Sequence, residues 1–220
     1  MKKLLFIINP MAGRQQAQTD LYKMVKIFAD HDYEVTVYPT RARLDCTRKV
    51  LEDAGRFDLV VCCGGDGTLN EMVSGMMQRQ DRRPMGYIPL GSTNDLAVSL
   101  RLPTRVEEAA LRAVTGNEFH MDVGTLNDRY FNYIAAFGAF TETSYATPQE
   151  IKNALGHLAY ILEGVKSLGK ILPIHVKITA DDEQFEEDYL FGAVTNTISL
   201  GGVLKLDPEK VLLDDGMYEL

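Results

Sequence analysis

Three glycines and an aspartate follow an apolar run in the first third of the chain. Gly64, Gly65 and Gly67 flank Asp66 directly after residues 59–63. Glycine allows tight turns and lets a ligand lie against the main chain, and the free N–H groups of a following helix favour an anion. A carboxylate beside polyphosphate indicates a bound metal or a nearby hydroxyl. The segment therefore predicts Mg²⁺-assisted phosphoryl transfer, with a plain tight turn as the alternative.

Two better-known phosphate-binding signatures do not fit this segment. No Gly-Lys-Ser/Thr follows the glycines, as a P-loop requires, and the spacing is not the G-x-G-x-x-G of dinucleotide-binding folds. Shorter polar turns follow two other apolar runs, with Asn9 after residues 4–8 and Ser92 after residues 86–89. Ligands of open α/β sheets bind beyond the carboxyl ends of the strands, so these turns are candidates for the same site.

The elements that must position these turns alternate along the first half of the chain. Apolar runs predict strands at 4–8, 59–63 and 86–89, and an alternating pattern predicts a strand at 34–38. Helical spacing predicts helices at 17–29, 46–54, 69–78, 93–100 and 105–114. This βαβα order predicts an α/β fold whose N-terminal domain is a Rossmann-like parallel sheet.

The second half changes to hairpin patterns. Runs at 119–126 and 130–137 predict one hairpin, and runs at 174–180 and 185–195 predict another. A helix predicted at 149–168 carries an apolar stripe that fits either core packing or an interfacial contact with a membrane. We therefore predict a β-rich antiparallel second domain. The predicted domains are 1–118 and 119–220.

The amino-acid composition argues against several classes of function. The 220 residues carry 23 Lys and Arg against 31 Asp and Glu, a net charge of −8, which argues against a general nucleic-acid binder. No apolar run approaches the roughly 18–20 residues of a membrane span. The three cysteines, Cys46, Cys62 and Cys63, lack metal-ligand spacing. We expect a cytoplasmic protein whose cysteines are core residues.

Three segments in the same order carry a family resemblance. Residues 64–71, Gly-Gly-Asp-Gly-Thr-Leu-Asn-Glu, resemble the nucleotide-binding signature of the diacylglycerol kinase catalytic-domain family, which includes bacterial diacylglycerol kinases and sphingosine and ceramide kinases. Residues 9–13 resemble its first phosphate-contacting loop, and residues 89–97 its third signature. The resemblance implies an NAD kinase/phosphofructokinase-like fold and an ATP- and Mg²⁺-dependent lipid kinase acting on a lipid hydroxyl such as that of diacylglycerol.

The resemblance also implies roles for individual residues. The nucleotide-binding residues it implies are Asn9, Pro10, Met11, Ala12, Gly13, Thr40, Gly64, Gly65, Asp66, Gly67, Thr68, Leu69, Asn70 and Ser92. The implied catalytic acids are Asp66, Asp95 and Asp122. Asp215, with the main-chain carbonyls of Leu212 and Met217, is expected to hold a structural Mg²⁺. By residue type alone, Asp95 is also an ordinary helix-start acid, Asp122 a strand-edge acid, and the 212–217 segment a turn.

The end of the sequence raises a further expectation. A strand is predicted at 217–220, and the chain stops inside it at Leu220, which indicates a second domain that is cut short. The resemblance places the general base, an acid in an Asp-Gly-Glu segment, in a later stretch. We therefore expect the 220-residue chain alone to lack lipid kinase activity.

Two rival functions stay open at this point: an NAD kinase-like phosphotransferase, and a non-catalytic regulator that binds nucleotide or lipid. The expected partners are ATP and a lipid acceptor met peripherally at the inner membrane face, with no nucleic acid. A homodimer is left open.

Overall fold

The structure is a computed structural model that describes residues 1–138, 172–200 and 204–220. The helix predicted at 149–168 lies outside the described residues.

A four-stranded parallel sheet forms the first half of the chain. Its strands are β1 (Lys2–Ile8), β2 (Tyr33–Pro39), β3 (Leu59–Gly64) and β4 (Met85–Pro89), in the order β2-β1-β3-β4. All three pairings are parallel, as the βαβα pattern predicts. The α/β fold class with its N-terminal parallel sheet is confirmed.

Helices connect and cover these strands. They are α1 (Gln16–Thr19), α2 (Leu21–Asp30), α3 (Asp45–Asp53), α4 (Asp66–Met77), α5 (Asp95–Ser99) and α6 (Val106–Thr115). The predicted helix 17–29 is divided at Asp20, which is buried between α1 and α2. Helix α4 begins three residues earlier than predicted, so that Asp66 and Gly67 lie in its first turn.

The sheet separates two apolar cores. Leu4, Phe6 and Cys63 belong to the core that also contains residues of α2 and α6. Leu5 and Cys62 belong to the core that contains residues of α3, α4 and α5. The adjacent cysteines therefore point to opposite faces, as strand geometry requires. Burial raises the pKa of the Cys63 thiol to about 12, which fits a packing role rather than redox chemistry.

Short antiparallel pairs make up the described part of the second half. The strands are β5 (Gly124–Leu126), β6 (Arg129–Phe131), β7 (Ile134–Gly138), β8 (Ile174–Ala180), β9 (Glu183–Tyr189), β10 (Phe191–Thr195), β11 (Ser199–Leu200) and β12 (Leu204–Lys205). The pairs are β5–β6, β7–β10, β8–β9 and β11–β12, and all are antiparallel. The β-rich antiparallel second half is confirmed.

The described residues group into two compact units. The first contains residues 1–133 with 196–217, and the second contains residues 134–195 with 218–220, each as far as it is described. The domain boundary at 118/119 was placed on the linear sequence, and it stays a prediction. Within the described ranges, no helix is long and apolar enough to span a membrane.

Candidate active site

The turns after all four parallel strands lie at one edge of the sheet. The backbone N–H of Asn9 donates to the carbonyl of Cys63 over 2.9 Å, and that of Leu90 donates to Gly64 over 2.7 Å. Thr40 donates its backbone N–H to the last residue of β1 over 2.9 Å. The turns that sequence reasoning selected therefore come together, because the carboxyl ends of parallel strands share an edge.

Two glycine turns at this edge contact each other through their backbones. A Cβ on Gly91 would lie 2.6 Å from the Cα of Gly65, and a Cβ on Gly65 would lie 3.1 Å from the Cα of Gly91. Because the atom met at 2.6 Å belongs to the backbone and cannot move aside, glycine is required at position 91, and the approach at position 65 is tight. Gly67 differs, since a Cβ there meets no atom within 4 Å. Its surface is open, as close approach of a ligand requires.

Asn94 holds the second of these turns in shape. The residue adopts a left-handed φ of 52°, which Asn tolerates better than most residues. Its Oδ1 accepts the backbone N–H of Gly91 over 2.7 Å and the hydroxyl of Tyr87 over 3.2 Å. Its Nδ2 donates to the Gly91 carbonyl over 3.0 Å. Ser92 lies within the turn that these bonds fix.

Asp66 belongs to the first glycine turn, and its side chain contacts the second. Its Oδ2 accepts the hydroxyl of Thr93 over 3.0 Å, whereas its buried Oδ1 has no hydrogen-bond partner in the described part of the chain. Burial raises the pKa of the Asp66 carboxyl, and the negative charge of Asp95 raises it further. The Thr93 hydroxyl and the backbone N–H groups of Asn94 and Leu96 oppose this increase.

Asp95 is the second predicted acid at this site. Its side chain is buried in the first turn of α5, and Oδ1 accepts the hydroxyl of Ser199 over 2.7 Å. Asp66 accepts the Thr93 hydroxyl and the backbone N–H groups of Asn94 and Leu96, the residues on either side of Asp95, so the structure brings these two predicted acids close together.

The first predicted phosphate loop, residues 9–13, is tied to the glycine turn. Asn9 Oδ1 accepts the backbone N–H of Met11 over 3.0 Å, which forms a local turn, and its Nδ2 donates to Thr68 Oγ1 over 3.4 Å. A 3₁₀ turn over Ala12–Gln15 follows, with Gly13 at a φ of +59°. The loop is thus shaped by its own residues and by α4.

Asp122, the third predicted acid, is bonded to the turn at 212–217. Asp122 Oδ2 accepts the backbone N–H of Gly216 over 2.6 Å, and the Asp122 backbone N–H donates to the Leu213 carbonyl over 2.8 Å. Asp215 Oδ1 accepts the backbone N–H of Met217 over 3.0 Å. The structure therefore joins Asp122 to the predicted metal segment, 212–217.

Oxygen atoms at both places suit a hard cation. Mg²⁺ prefers oxygen ligands, and the side-chain oxygens Asp66 Oδ1 and Asn70 Oδ1, one helical turn apart on α4, are both buried without a partner in the described structure. Among the described residues, no three His, Cys, Asp or Glu side chains are grouped to hold a metal. The predicted set at 212–217 has one carboxylate and two main-chain carbonyls, so it is a different kind of donor set.

Sequence reasoning missed several polar residues that support the site. Asn196, Thr197 and Ser199 are all buried, and the side-chain oxygen of Asn196 has no hydrogen-bond partner in the described structure. The signal was a group of polar residues, Asn196, Thr197 and Ser199, directly after the strand predicted to end at residue 195.

Glu71 has a structural task outside the site. Its carboxylate accepts the backbone N–H groups of Leu44 over 2.9 Å and Cys46 over 3.3 Å, at the start of α3. The Thr47 hydroxyl also donates to the Glu71 carbonyl over 2.8 Å. Glu71 thereby satisfies helix-start N–H groups and fixes α3 against α4.

Comparison with known proteins decides the family. The sequence model of the family described as diacylglycerol kinase catalytic domain matches residues 3–126. The chain belongs to the diacylglycerol kinase catalytic-domain family. The family match contains every glycine turn described above and all three predicted catalytic acids, whereas the 212–217 turn lies after it.

Proteins named diacylglycerol kinase align with the whole length of this chain. A diacylglycerol kinase from Bacillus subtilis (strain 168) is 37% identical over 222 residues, covering 100% of this chain and 73% of the relative. A diacylglycerol kinase from Staphylococcus saprophyticus is 32% identical over 220 residues, covering 100% of this chain and 72% of the relative. The crystal structure of a diacylglycerol kinase from Bacillus anthracis str. Sterne superposes with a TM-score of 0.80 at 30% identity, covering 99% of this chain and 71% of that one. The diacylglycerol kinase fold therefore extends beyond the family match.

Proposed function

We propose that this protein is an ATP- and Mg²⁺-dependent lipid kinase that transfers the γ-phosphoryl group to a lipid hydroxyl such as that of diacylglycerol. The observation that carries the proposal is the position of Asp66. In a chain of this family, Asp66 belongs to one of two touching glycine turns at the carboxyl edge of a parallel sheet. One oxygen of its carboxylate accepts the Thr93 hydroxyl of the other turn, and the second oxygen is buried and unpartnered in the described structure.

The glycine turns and the first loop supply the nucleotide site in this proposal. The backbone of 64–70 and of 9–13 binds the phosphates, with Thr40 and Ser92 as further contacts at the same edge. The N-terminus of α4 favours their negative charge. Gly67, whose α-carbon faces open space, is where a phosphate approaches the main chain most closely.

Asp66 and Asn70 are the residues we propose for the Mg²⁺ that accompanies ATP, because their oxygens are unpartnered in the described structure and of the kind Mg²⁺ prefers. A bound Mg²⁺ neutralises charge on the transferred phosphoryl group. The protein's own contribution is positioning: two rigid turns fix the phosphates, and Asp66 with Asp95 places negative charge beside the acceptor hydroxyl.

The remaining predicted residues complete the proposal. Asp215 and the carbonyls of Leu212 and Met217 hold a structural Mg²⁺, and Asp122 stabilises that turn through its bond to Gly216. Asp122 also lines the cleft as a third acid. The acceptor lipid lies in the membrane, so a cytoplasmic protein meets it peripherally, at the bilayer surface.

The experiment uses the protein from its complete reading frame with γ-labelled ATP. Diacylglycerol, sphingoid bases, total bacterial lipids and NAD are offered in parallel. We expect label in diacylglycerol, and a loss of at least about 10³-fold with Asp66→Ala, while circular dichroism and the melting temperature remain those of a folded protein.

Each other outcome favours a rival. Label in NAD alone favours the NAD kinase-like function, and ATP binding without turnover favours the regulator. Full labelling by Asp66→Ala would mean that the site is misassigned.

A further inference from the structure

We propose that Ser199 is a positioning residue for the carboxylate of Asp95, and that Ser99 and Thr197 hold Ser199 in place. The inference rests on the proposed kinase function, since it assigns a task to residues outside the loops that the family signatures define.

The contact between Ser199 and Asp95 joins distant parts of the sequence. The Ser199 hydroxyl donates to Asp95 Oδ1 over 2.7 Å, across 104 positions of the chain. Both residues are only 2% exposed. Short O–H···O⁻ bonds of this kind are roughly twice as strong as bonds between neutral groups. Burial also removes the water that would otherwise compete for the carboxylate.

Ser199 is itself fixed by a neighbouring hydroxyl. Its backbone N–H donates to Thr197 Oγ1 over 3.3 Å, and its carbonyl oxygen lies 3.1 Å from the same hydroxyl oxygen. The Thr197 side chain is fully buried. The Ser199 side chain therefore projects from a backbone turn whose shape is set by Thr197.

Ser99 closes this arrangement into a ring. Its Oγ lies 2.6 Å from Thr197 Oγ1 and accepts the backbone N–H of Ile198 over 3.1 Å. It also lies 3.1 Å from the backbone carbonyl of Asp95, as a donor. The ring runs from the Asp95 carboxylate through Ser199, Thr197 and Ser99 back to the Asp95 backbone. It therefore restrains both the side chain and the backbone of Asp95.

The consequence concerns the two acids of the site. Asp66 belongs to α4 and its glycine turn, whereas Asp95 belongs to α5, a helix of five residues. A short helix does not by itself fix a carboxylate to the tolerance that catalysis needs, about half an ångström. The hydroxyl ring supplies that constraint from the 196–217 segment, which belongs to the same compact unit.

The test compares Ser199→Thr with Ser199→Val in the protein from its complete reading frame, with diacylglycerol as acceptor. These two side chains have nearly the same shape, and only threonine keeps the hydroxyl. We expect kcat to be about 10- to 100-fold higher for the Thr variant than for the Val variant, with KM for ATP the same within about twofold.

Thr47→Ala is the matched control. It also removes a tertiary hydroxyl bond, 2.8 Å long, but one that joins α3 to α4. We expect it to lower the melting temperature and to leave kcat unchanged. A purely structural role for Ser199 predicts instead that kcat falls only in proportion to the folded fraction.

The outcomes separate this inference from the proposed function. Equal kcat for the Thr and Val variants, or a difference confined to KM, overturns the positioning role while the kinase function stands. A wild-type protein that labels no lipid acceptor overturns both.

Discussion

At the scale of single residues, the buried carboxylate of Asp66, which the proposed kinase function needs, lowers the stability of the fold when it is ionised. Burial first, and the charge of Asp95 second, raise its pKa. An acid whose pKa is raised in the folded state stabilises the fold below the unfolded value of 3.8, and this contribution is lost as the pH rises through the folded pKa. Above the folded pKa the chain therefore bears an ionised, buried carboxylate, a cost that a bound cation reduces.

Asp66→Asn removes this charge and keeps the shape. In EDTA at pH 7.5, we expect the variant to melt about 2–4 °C higher than the wild type, which corresponds to about 1 kcal/mol for a chain of this size. The difference should shrink as the pH falls towards 4, because the wild-type carboxyl then takes up a proton. Thermal melts across this pH range measure it.

Two controls accompany these melts. Asp128→Asn, an exposed acid in the turn between β5 and β6, should leave the melting temperature within about 1 °C at either pH. Added Mg²⁺ should stabilise the wild type more than Asp66→Asn. A variant that melts below the wild type at pH 7.5 would contradict the account of Asp66.

Residue types and spacing predicted part of the site and not the rest. Asp66 and its glycines were identifiable because their chemistry is local: a turn, a helix start and an acid within four positions. Ser199 was not, since its partner Asp95 is 104 positions away and nothing about a serine near a strand indicates that partner. Contacts of this kind require the three-dimensional path of the chain.

At the scale of elements, helix α4 begins at Asp66 and not at Leu69 as predicted. The glycines suggested that the turn extended further. The first turn of a helix, however, has N–H groups without intrahelical partners, and an acid at its start is favoured by the helix dipole. Gly65 takes the extended conformation of an N-cap, so Gly67 already lies inside the helix.

Gly67→Ala and Gly91→Ala are therefore expected to have opposite effects on stability. Alanine at 67 meets no atom within 4 Å and favours a helix by up to about 1 kcal/mol, so this variant should be as stable as the wild type or more so. It should nevertheless bind ATP at least about tenfold more weakly, because the new methyl group enters the space proposed for phosphate. Urea denaturation and calorimetric titration with ATP measure the two effects.

Gly91→Ala is the contrasting variant. Its Cβ would lie 2.6 Å from the Cα of Gly65 and 2.6 Å from Asn94 Oδ1, so we expect a loss of about 2 kcal/mol or more. If Gly67→Ala bound ATP as the wild type does, the phosphate would not approach the main chain at α4.

Strand boundaries in the second half show why periodicity alone was insufficient. The run 130–137 predicted one strand, but the chain forms β6 and β7 with Asn132 and Tyr133 between them. Strand β6 pairs with β5, whereas β7 pairs with β10. An alternating pattern of side chains indicates a locally extended backbone. It does not indicate which strand that backbone pairs with, or where the pairing changes from one strand to another.

At the scale of the whole molecule, the first compact unit is built from two separate stretches of sequence. Residues 196–217 return to residues 1–133. At the point of return, the Asn196 backbone N–H donates to the Tyr133 carbonyl over 2.9 Å, and Asn196 Nδ2 donates to the Leu213 carbonyl over 3.1 Å. The unit therefore depends on residues that follow the predicted boundary at 118/119.

The return segment suggests that residues 134–195 can be replaced by a tight turn. The Tyr133 carbonyl and the Asn196 N–H already form the bond that closes a two-residue hairpin loop, for which Asn-Gly is a favoured sequence. We expect a chain of residues 1–133, Asn-Gly and 196–217 to unfold cooperatively and to bind ATP, because the glycine turns and the hydroxyl ring are both retained. Urea denaturation and calorimetric titration measure these properties.

The fragment 1–133 is the matched control, since it keeps every glycine turn and loses the return segment. It lacks the partners of Asp95, Ser99 and Asp122. Of these three residues only Asp95 is buried, and a buried polar group left without its partner costs about 1–3 kcal/mol, so the fragment should be less stable than the joined chain by about that amount. Equal stability of the two chains would mean that the 196–217 segment contributes nothing to the first unit, and the ring around Asp95 would then lack the rigidity that its proposed role requires.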